Sequence, residues 1–371
     1  MKLNSKILFL TLDGFSNTGG IQSVCKNMAF TLNSISTKSD TVYFTNHSLY
    51  DDLADNAYIE GNNFHGHSGN RISFLINSIK QGISCNTIII SHINLLLIAF
   101  LIKLFNRKAK IVMLTHGTEI WRNIQIVKLY FIRIAITIWS VSEYTKDILV
   151  KRHCIKPLNI IVLNNCLDPF RSASESLNKP EDLLKLHALS TIQPIIISVC
   201  RMSKYDWDKG YDLTLRALPK VILEFPTLHY FMIGCIDPVE LTRVNTLIAS
   251  LNIKKHVTLL GYVSEFDLAK YYRLADLFVL PSSKEGFGLV FIEAASFGCE
   301  VISGDQDGSK EALMNGSLGI SIRITSENLV KQIAKSLRNG RDILSRRNIK
   351  NKCFDQYSQG RYESRVKLLL R

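Results

Sequence analysis

No Cys-x-x-Cys pair occurs among the cysteines at 25, 85, 154, 166, 200, 235, 299 and 353, and no histidine stands at zinc-finger spacing. That scatter argues against a structural metal and for a reducing compartment. No glycine-rich segment ends in the Gly-Lys-Ser/Thr of a P-loop, which makes an NTPase a poor reading, and G-x-G-x-x-G is absent, which demotes classical NAD binding. The chain also lacks low-complexity tracts and internal repeats. The apolar run in the N-terminal MKLNSKILFLTLDGF is short and no small-residue cleavage site follows it, so it reads as a first strand and not as a signal peptide. Thr87 to Phe105 is almost wholly apolar, but Ser91, His92 and Asn94 interrupt it and Lys103 lies near its end. A buried strand followed by a buried helix explains it better than a membrane span.

What is present is an alternation. At 371 residues the chain is long enough for two domains with separate cores. Strand-like apolar runs at 6–12, 41–45, 87–91, 110–115, 137–141 and 160–163 alternate with helical stretches, as stacked βαβ units do. The segment Asn164 to Pro180 is poor in apolar residues and rich in Ser, Asn and Pro, and reads as a linker. The alternation resumes at 194–199, 228–233, 257–260, 277–280 and 300–303, and from about Glu327 the chain reads as helical. The expected class is α/β, two Rossmann-like domains facing each other across a cleft. The expected division is 1–167, a linker at 168–180, a second domain at 181–354, and a helix at 355–371 that is a candidate to pack back on the first domain.

One segment carries most of the chemistry. In PSSKEGFGLVFIEAASFG (281–298), Glu285 and Glu293 flank a Gly-Phe-Gly turn between an apolar strand and a buried helix. Backbone N–H groups at a helix start lack internal partners, so the turn from Gly286 through Phe287 and Gly288 to Leu289 is an anion site. Glu293, one turn into the helix, leans back toward that start. A ligand facing both acids must offer hydroxyls and anionic oxygens together, and a nucleotide sugar has both. Arg201 after the strand PIIISVC and Lys209 before YDLTLRAL form a pair suited to a diphosphate. Gly19 and Gly20 follow the first strand and permit close backbone approach. His116 follows the strand KIVMLT, where α/β proteins place ligands. Asp206-Trp207-Asp208 and Asp305-Gln306-Asp307 raise a Mg or Mn site, but the first lies between two basic residues that could already neutralise a diphosphate. No metal and no cofactor is expected.

The formal charge of +13 is unevenly spread. Residues 1–100 hold six Lys/Arg and six Asp/Glu, whereas residues 101–156 hold eleven against three. Such a window attracts an anionic lipid surface, a diphosphate-linked substrate or nucleic acid, unless it is simply a solvated face.

SVCRMSKYDWDKGYDLTLRAL, LLGYVSEFDLAKYYRLADLFVLPSSKEGFGLVFIEAASFG and VISGDQDGSKEAL, taken in order over roughly Ile195 to Leu313, resemble the retaining glycosyltransferases of family 4, which have the GT-B fold. Gly19-Gly20-Ile21, SHIN at 91–94, THG at 115–117 and WSVSEYTKD at 139–147 are similar more loosely. The resemblance implies that Arg201 and Lys209 hold the donor diphosphate, and that Gly288, Leu289 and Val290 give backbone contacts. It implies further that Glu293 binds the ribose, that Glu285 lies beside the transferred sugar, and that His116 with Gly19-Gly20 completes the sugar site. Gly298-Cys299-Glu300 stands where the family commonly has Gly-x-Pro, Asp307 where glycine is frequent, and the Arg201-to-Lys209 loop is longer than usual. The implied activity is sugar transfer with retention from a nucleotide diphosphate, UDP before GDP, to an acceptor hydroxyl. The implied acceptor is a lipid-linked glycan of surface polysaccharide or lipopolysaccharide assembly. A cytoplasmic enzyme, peripheral on the inner membrane face through residues 101–156, fits that setting. A nucleotide-sugar epimerase of the same architecture and a nucleic-acid-binding protein are the alternatives, although no motif for reading nucleic acid is present.

Overall fold

A strand that is apolar on both faces needs helices on both sides of its sheet, and the crossovers that supply them make the sheet parallel. The structure, a computed structural model, describes residues 5–15, 18–48, 57–59, 63–170, 176–340 and 342–371. The chain separates into two compact units, one of Met1–Pro169 with Tyr357–Arg371 and one of Phe170–Gln356.

In the first unit, β1 (Lys6–Thr11), α1 (Gly20–Ile35), β2 (Thr41–Asn46), β3 (Phe64–Gly66) and α2 (Arg71–Gly82) come first. They are followed by β4 (Thr87–Ile90), α3 (Leu96–Phe105), β5 (Lys110–Thr115), α4 (Thr118–Trp121), α5 (Ile126–Ala135), β6 (Ile136–Ser140), α6 (Glu143–His153) and β7 (Ile160–Val162). The sheet is parallel with order β3-β2-β1-β4-β5-β6-β7. Ile88, Ile90, Ile111 and Met113 are buried against Ile98 and Ile102 of α3 and Phe131 and Ile132 of α5.

The second unit contains α7 (Glu181–Leu186), β8 (Ile195–Val199), α8 (Tyr211–Glu224), β9 (His229–Ile233), α9 (Pro238–Ser250), β10 (Val257–Gly261) and α10 (Glu265–Leu274). It continues with β11 (Leu277–Leu280), α11 (Leu289–Ser296), β12 (Glu300–Gly304), α12 (Ser309–Ala312), β13 (Gly319–Ile322) and α13 (Ser326–Arg338). Next, α14 (Ile343–Tyr357) runs to the return point, and α15 (Gln359–Leu370) lies in the first unit. The second sheet is also parallel, with order β10-β9-β8-β11-β12-β13. Strand order reverses between β1 and β4 and again between β8 and β11, and these are the points where open α/β sheets place ligands.

The tandem Rossmann-like reading holds for both units, with two differences. β3 and β13 were not expected, and the helix within Thr87–Phe105 is not buried all round, since Leu97 is 63% exposed. Residues 171–175 of the expected linker lie outside the described residues, and Leu167 and Leu177 on either side of them are buried.

The last helix packs on α1, with Tyr362 and Val366 buried and Gln359 Nε2 donating to Thr31 Oγ1 at 2.6 Å. Truncating Tyr362 to Ala should cost about 3 to 5 kcal/mol, as for other buried aromatics. The loss should appear as faster amide hydrogen exchange in α1 and β1 with β8 and β11 unchanged.

Candidate active site

Two loops leave the second sheet at its switch point. β8 runs into residues 200–210, which close on Gly210 at the start of α8, and β11 runs into residues 281–288, which close on Gly288 at the start of α11. The loops hold each other: Ser283 N–H donates to the Asp208 carbonyl at 2.9 Å, and Lys284 Nζ lies 3.3 Å from Asp208 Oδ2 and 4.7 Å from the centre of the Trp207 ring. At their junction Lys209 Nζ donates to Glu285 Oε1 at 2.7 Å. Both side chains are largely covered, 26% and 16% exposed. Burial of the ammonium works against its charge, and the adjacent Glu285 carboxylate more than offsets this, so the Lys209 pKa is raised. Burial likewise pushes the neighbouring Cys200 thiol up to about 12, which keeps it protonated and unsuited to nucleophilic work.

Helix α11 begins without a side-chain cap, and so do α8 and, in the first unit, α1. By contrast α2, α6, α9, α10 and α13 are capped by Asn70, Ser142, Asp237, Ser264 and Thr325. The starts of α3, α4, α5, α7, α12 and α15 also lack a side-chain cap, so what sets α1, α8 and α11 apart is their place: they follow β1, β8 and β11, at the switch points, where a ligand oxygen can take the place of the missing cap. Gly288 has φ 90°, and a Cβ there would lie 2.3 Å from the Phe291 ring, so this start requires glycine.

A third loop fixes Glu285 from behind. Asp307, after β12, accepts from Glu285 N–H at 2.7 Å through Oδ2 and from Ser309 N–H at 2.9 Å through Oδ1, while Gly308 N–H donates to the Glu285 carbonyl at 2.9 Å. Ser282 Oγ donates to the same Asp307 oxygen at 3.3 Å. A Cβ on Gly308 would come 2.1 Å from the Gly286 carbonyl oxygen, so the two loops touch backbone to backbone. Burial raises the Asp307 pKa to about 6.

Of the residues singled out from sequence, the structure joins Lys209 to Glu285 and sets Gly286, Phe287, Gly288, Leu289 and Val290 at the helix start, with Glu293 one turn further on. The Glu293 carboxylate accepts from Tyr272 Oη at 3.0 Å. Arg201 points elsewhere: 72% exposed, it grips Asp206 with Nε and Nη2 at 2.8 and 2.9 Å. The hydrogen bonds that Arg201 donates to Asp206 raise the Arg201 pKa, and they lower that of Asp206 against the effect of burial. Three of the four Asp-x-Asp carboxylates are thus engaged, Asp206 by Arg201, Asp208 by Lys284 and Asp307 by backbone N–H groups, while Asp305 Oδ1 is buried without a hydrogen-bond partner. Among the described residues no three His, Cys, Asp or Glu side chains gather as a metal-holding group. The anchoring role of Asp307 had no signal in the sequence beyond its standing where glycine is frequent.

In the first unit, Gly19 and Gly20 open α1 and are exposed. His116, after β5, donates from its backbone to Glu119 Oε1 at 2.6 Å, and its Nε2 bonds the Ser91 carbonyl at 2.7 Å. A carbonyl can only accept, so Nε2 carries the proton and Nδ1 of the neutral ring is the acceptor. Beside it, His92 takes a hydrogen bond from Asn94 N–H through Nδ1 at 3.1 Å, and burial lowers its pKa. His92 was visible only as part of SHIN.

Residues 182–353 match the family model described as "Glycosyl transferases group 1". A D-inositol 3-phosphate glycosyltransferase of Rhodococcus erythropolis is 34% identical over 150 residues, 39% of this chain and 34% of that protein. A phosphatidyl-myo-inositol mannosyltransferase of Mycobacterium tuberculosis is 32% identical over 124 residues, 33% of this chain and 32% of that protein. The chain thus spans about a third of the length of these curated relatives. The crystal structure of Anabaena HepE in complex with UDP is similar across 98% of this chain and 99% of its own, with a TM-score of 0.81 at 16% identity. The chain therefore has the GT-B fold, and its residues 182–353, which contain Lys209, Glu285 and Glu293, are a domain of the glycosyl transferases group 1 family.

Proposed function

We propose that the chain is a glycosyltransferase that moves a sugar, with retention at the anomeric carbon, from a nucleotide diphosphate to an acceptor hydroxyl. The observation that carries this reading is the Lys209–Glu285 pair, set where the loops ahead of two uncapped helix starts meet. Breaking the donor's anomeric bond leaves negative charge on the diphosphate. Lys209 and the N–H groups at Gly288 to Val290 are preorganised donors whose stabilisation grows with that charge. Arg201 joins them if it exchanges Asp206 for phosphate, which its exposure favours. Glu285 is already neutralised by a lysine at 2.7 Å and is therefore a blunted nucleophile. That supports a role in orienting the sugar and steadying a cationic ring, with attack on the face the diphosphate leaves and the departing phosphate accepting the acceptor's proton. In the first unit, His116, with Nδ1 as acceptor, and the Gly19-Gly20 turn are the candidates for contacts to the transferred sugar.

The UDP held by Anabaena HepE supports uridine before guanosine as the base. The printed names of the inositol glycosyltransferase and the phosphatidyl-inositol mannosyltransferase support a polar or lipid-linked acceptor. We assign the acceptor to a lipid-linked glycan of surface polysaccharide or lipopolysaccharide assembly, used at the inner face of the cell membrane with the basic window 101–156 toward the lipid. Among the described residues no helix is long and apolar enough to cross a membrane.

Calorimetric titration with UDP should show Glu293→Ala weakening binding by about 1.5 to 3 kcal/mol, the worth of a hydrogen bond to a charged group. Unchanged affinity would remove Glu293 from the ribose. Steady-state assays at saturating donor and acceptor should show Glu285→Gln lowering kcat with little change in donor affinity. Lys209→Ala should lower both, because it removes a leaving-group contact and leaves the Glu285 charge uncompensated. Activity should survive EDTA. Full turnover by Glu285→Gln would remove its catalytic role, and strict dependence on Mg or Mn would return the Asp-x-Asp carboxylates to the site.

A further inference from the structure

The basic window owes less to free charge than its composition implies. Lys103 Nζ donates to the Ala109 carbonyl at 2.6 Å, Lys110 Nζ to the Leu369 carbonyl at 3.0 Å, and Arg133 Nη2 to the His153 carbonyl at 2.7 Å. On α6, Lys146 and Lys151 pair with Glu143 and Asp147. These cations lie along the protein. What faces outward beside them is apolar.

Helix α3 exposes Leu97, Phe100, Leu104 and Phe105, a row at helical spacing opposite its buried Leu96, Ile98, Ala99 and Ile102. Helix α5 exposes Ile126, Val127, Tyr130 and Ile134, with Ile126 86% exposed, opposite buried Phe131 and Ile132. Both helices connect neighbouring parallel strands in successive crossovers of one hand, β4 to β5 and β5 to β6, so they lie side by side on one face of the sheet. The Phe100 and Phe131 rings meet edge to face at 5.3 Å between centroids and close the seam between them. Two outward apolar rows on adjacent helices make a single patch of the kind that marks an interaction surface.

We propose that the outward faces of α3 and α5 form a bilayer-docking surface, whose apolar side chains enter the acyl boundary beneath anionic headgroups. The charge at the patch selects this occupant. Neither helix contains Asp or Glu; Lys128 lies on α5, and exposed Arg107 and Lys108 follow α3, while Lys103 and Arg133 add their charge from where they bind backbone carbonyls. A second copy of the chain would bring the same positive rim against itself, whereas anionic lipid complements it. The long aliphatic stems of Lys and Arg can lie along apolar surface while their charged heads reach the headgroups. Tyr130, apolar in its ring and polar at its tip, suits the headgroup level. The surface deepens the lipid-linked acceptor reading and rests on it for its purpose, but binding to lipid is measurable without any sugar transfer. It also reverses an expectation from charge alone, since apolar insertion is not screened by salt.

The test is co-sedimentation of the full chain with vesicles of phosphatidylcholine and phosphatidylglycerol at ~0.1 M and ~0.5 M NaCl, where charge-only binding is lost at the higher salt. The expected result is binding that persists at high salt. Leu104→Glu/Ile134→Glu should lower it by about tenfold at both salts, and Arg107→Gln/Lys108→Gln should lower it only at the lower salt. All four residues are exposed, so thermal unfolding and UDP affinity of the variants should match the parent chain, and a milder pair, Leu97→Ser/Tyr130→Ser, covers a folding failure. Complete release at high salt, or parental binding by both apolar double variants, overturns the proposal. So does a dimer in sedimentation velocity that Leu104→Glu/Ile134→Glu dissolves while no vesicles are bound. Vesicle binding by a chain that transfers no sugar would keep the surface and remove the transferase reading, whereas sugar transfer without vesicle binding would keep the transferase reading and remove the surface.

Discussion

A parallel strand cannot turn straight back beside its neighbour; the chain must cross over, and every crossover returns to the same edge of the sheet. The rest of the second unit depends on that constraint. Because β8, β11 and β12 run the same way, the loops after them emerge together, and residues at 201–210, 281–288 and 305–309 share one end of one sheet. Strand order reverses between β8 and β11, so the helices that follow, α8 and α11, leave in opposite directions and open a gap between their starts. Into that gap the chain sends Lys209 and Glu285, and the two charges hold each other. The meeting of Lys209 with Glu285 follows from topology first and from side chains second.

The same dependence explains what could be read in the sequence. Strands flanked on both faces by helices are apolar throughout, so KIVMLT and LFVL announce themselves. The short β3 and β13, FHG and GISI, carry no such run and take their place from register with β2 and β12. The acids at 285 and 293 and the glycines between them were legible because strand, turn and helix are local. The pairing of Lys209 with Glu285 spans 76 positions and was not. Asp307 shows the limit best. In sequence it is half of an acidic triplet and a metal candidate, whereas in the fold it is a backbone acceptor that fixes the Glu285 peptide. Arg201 likewise read as a diphosphate ligand or a solvated loop residue, and its partner Asp206, five residues away, appears only in the fold.

Hydropathy misled in an instructive way over Thr87–Phe105. A helix that is apolar all round is normally enclosed. Here α3 buries one side in the core and leaves the other beside α5, equally apolar and equally uncovered. Sequence periodicity cannot distinguish a residue hidden by protein from one waiting for some other cover. Only the neighbours settle it, and the outward side of α3 keeps Leu97, Phe100, Leu104 and Phe105 exposed.

The return of the chain at Tyr357 makes the second unit an insertion in the first. Residues 170–356 are continuous, whereas α15, beyond them, belongs with α1, tied through Gln359 and Thr31. A cut after Pro169 therefore does not yield two self-sufficient halves: it strands the last helix of one with the body of the other. The natural exchangeable piece is the interior one. A chimera that swaps 170–356 for its counterpart from a relative would keep both parts of the first unit in one polypeptide, so the second unit could be exchanged without disturbing the core built around β1, α1 and α15.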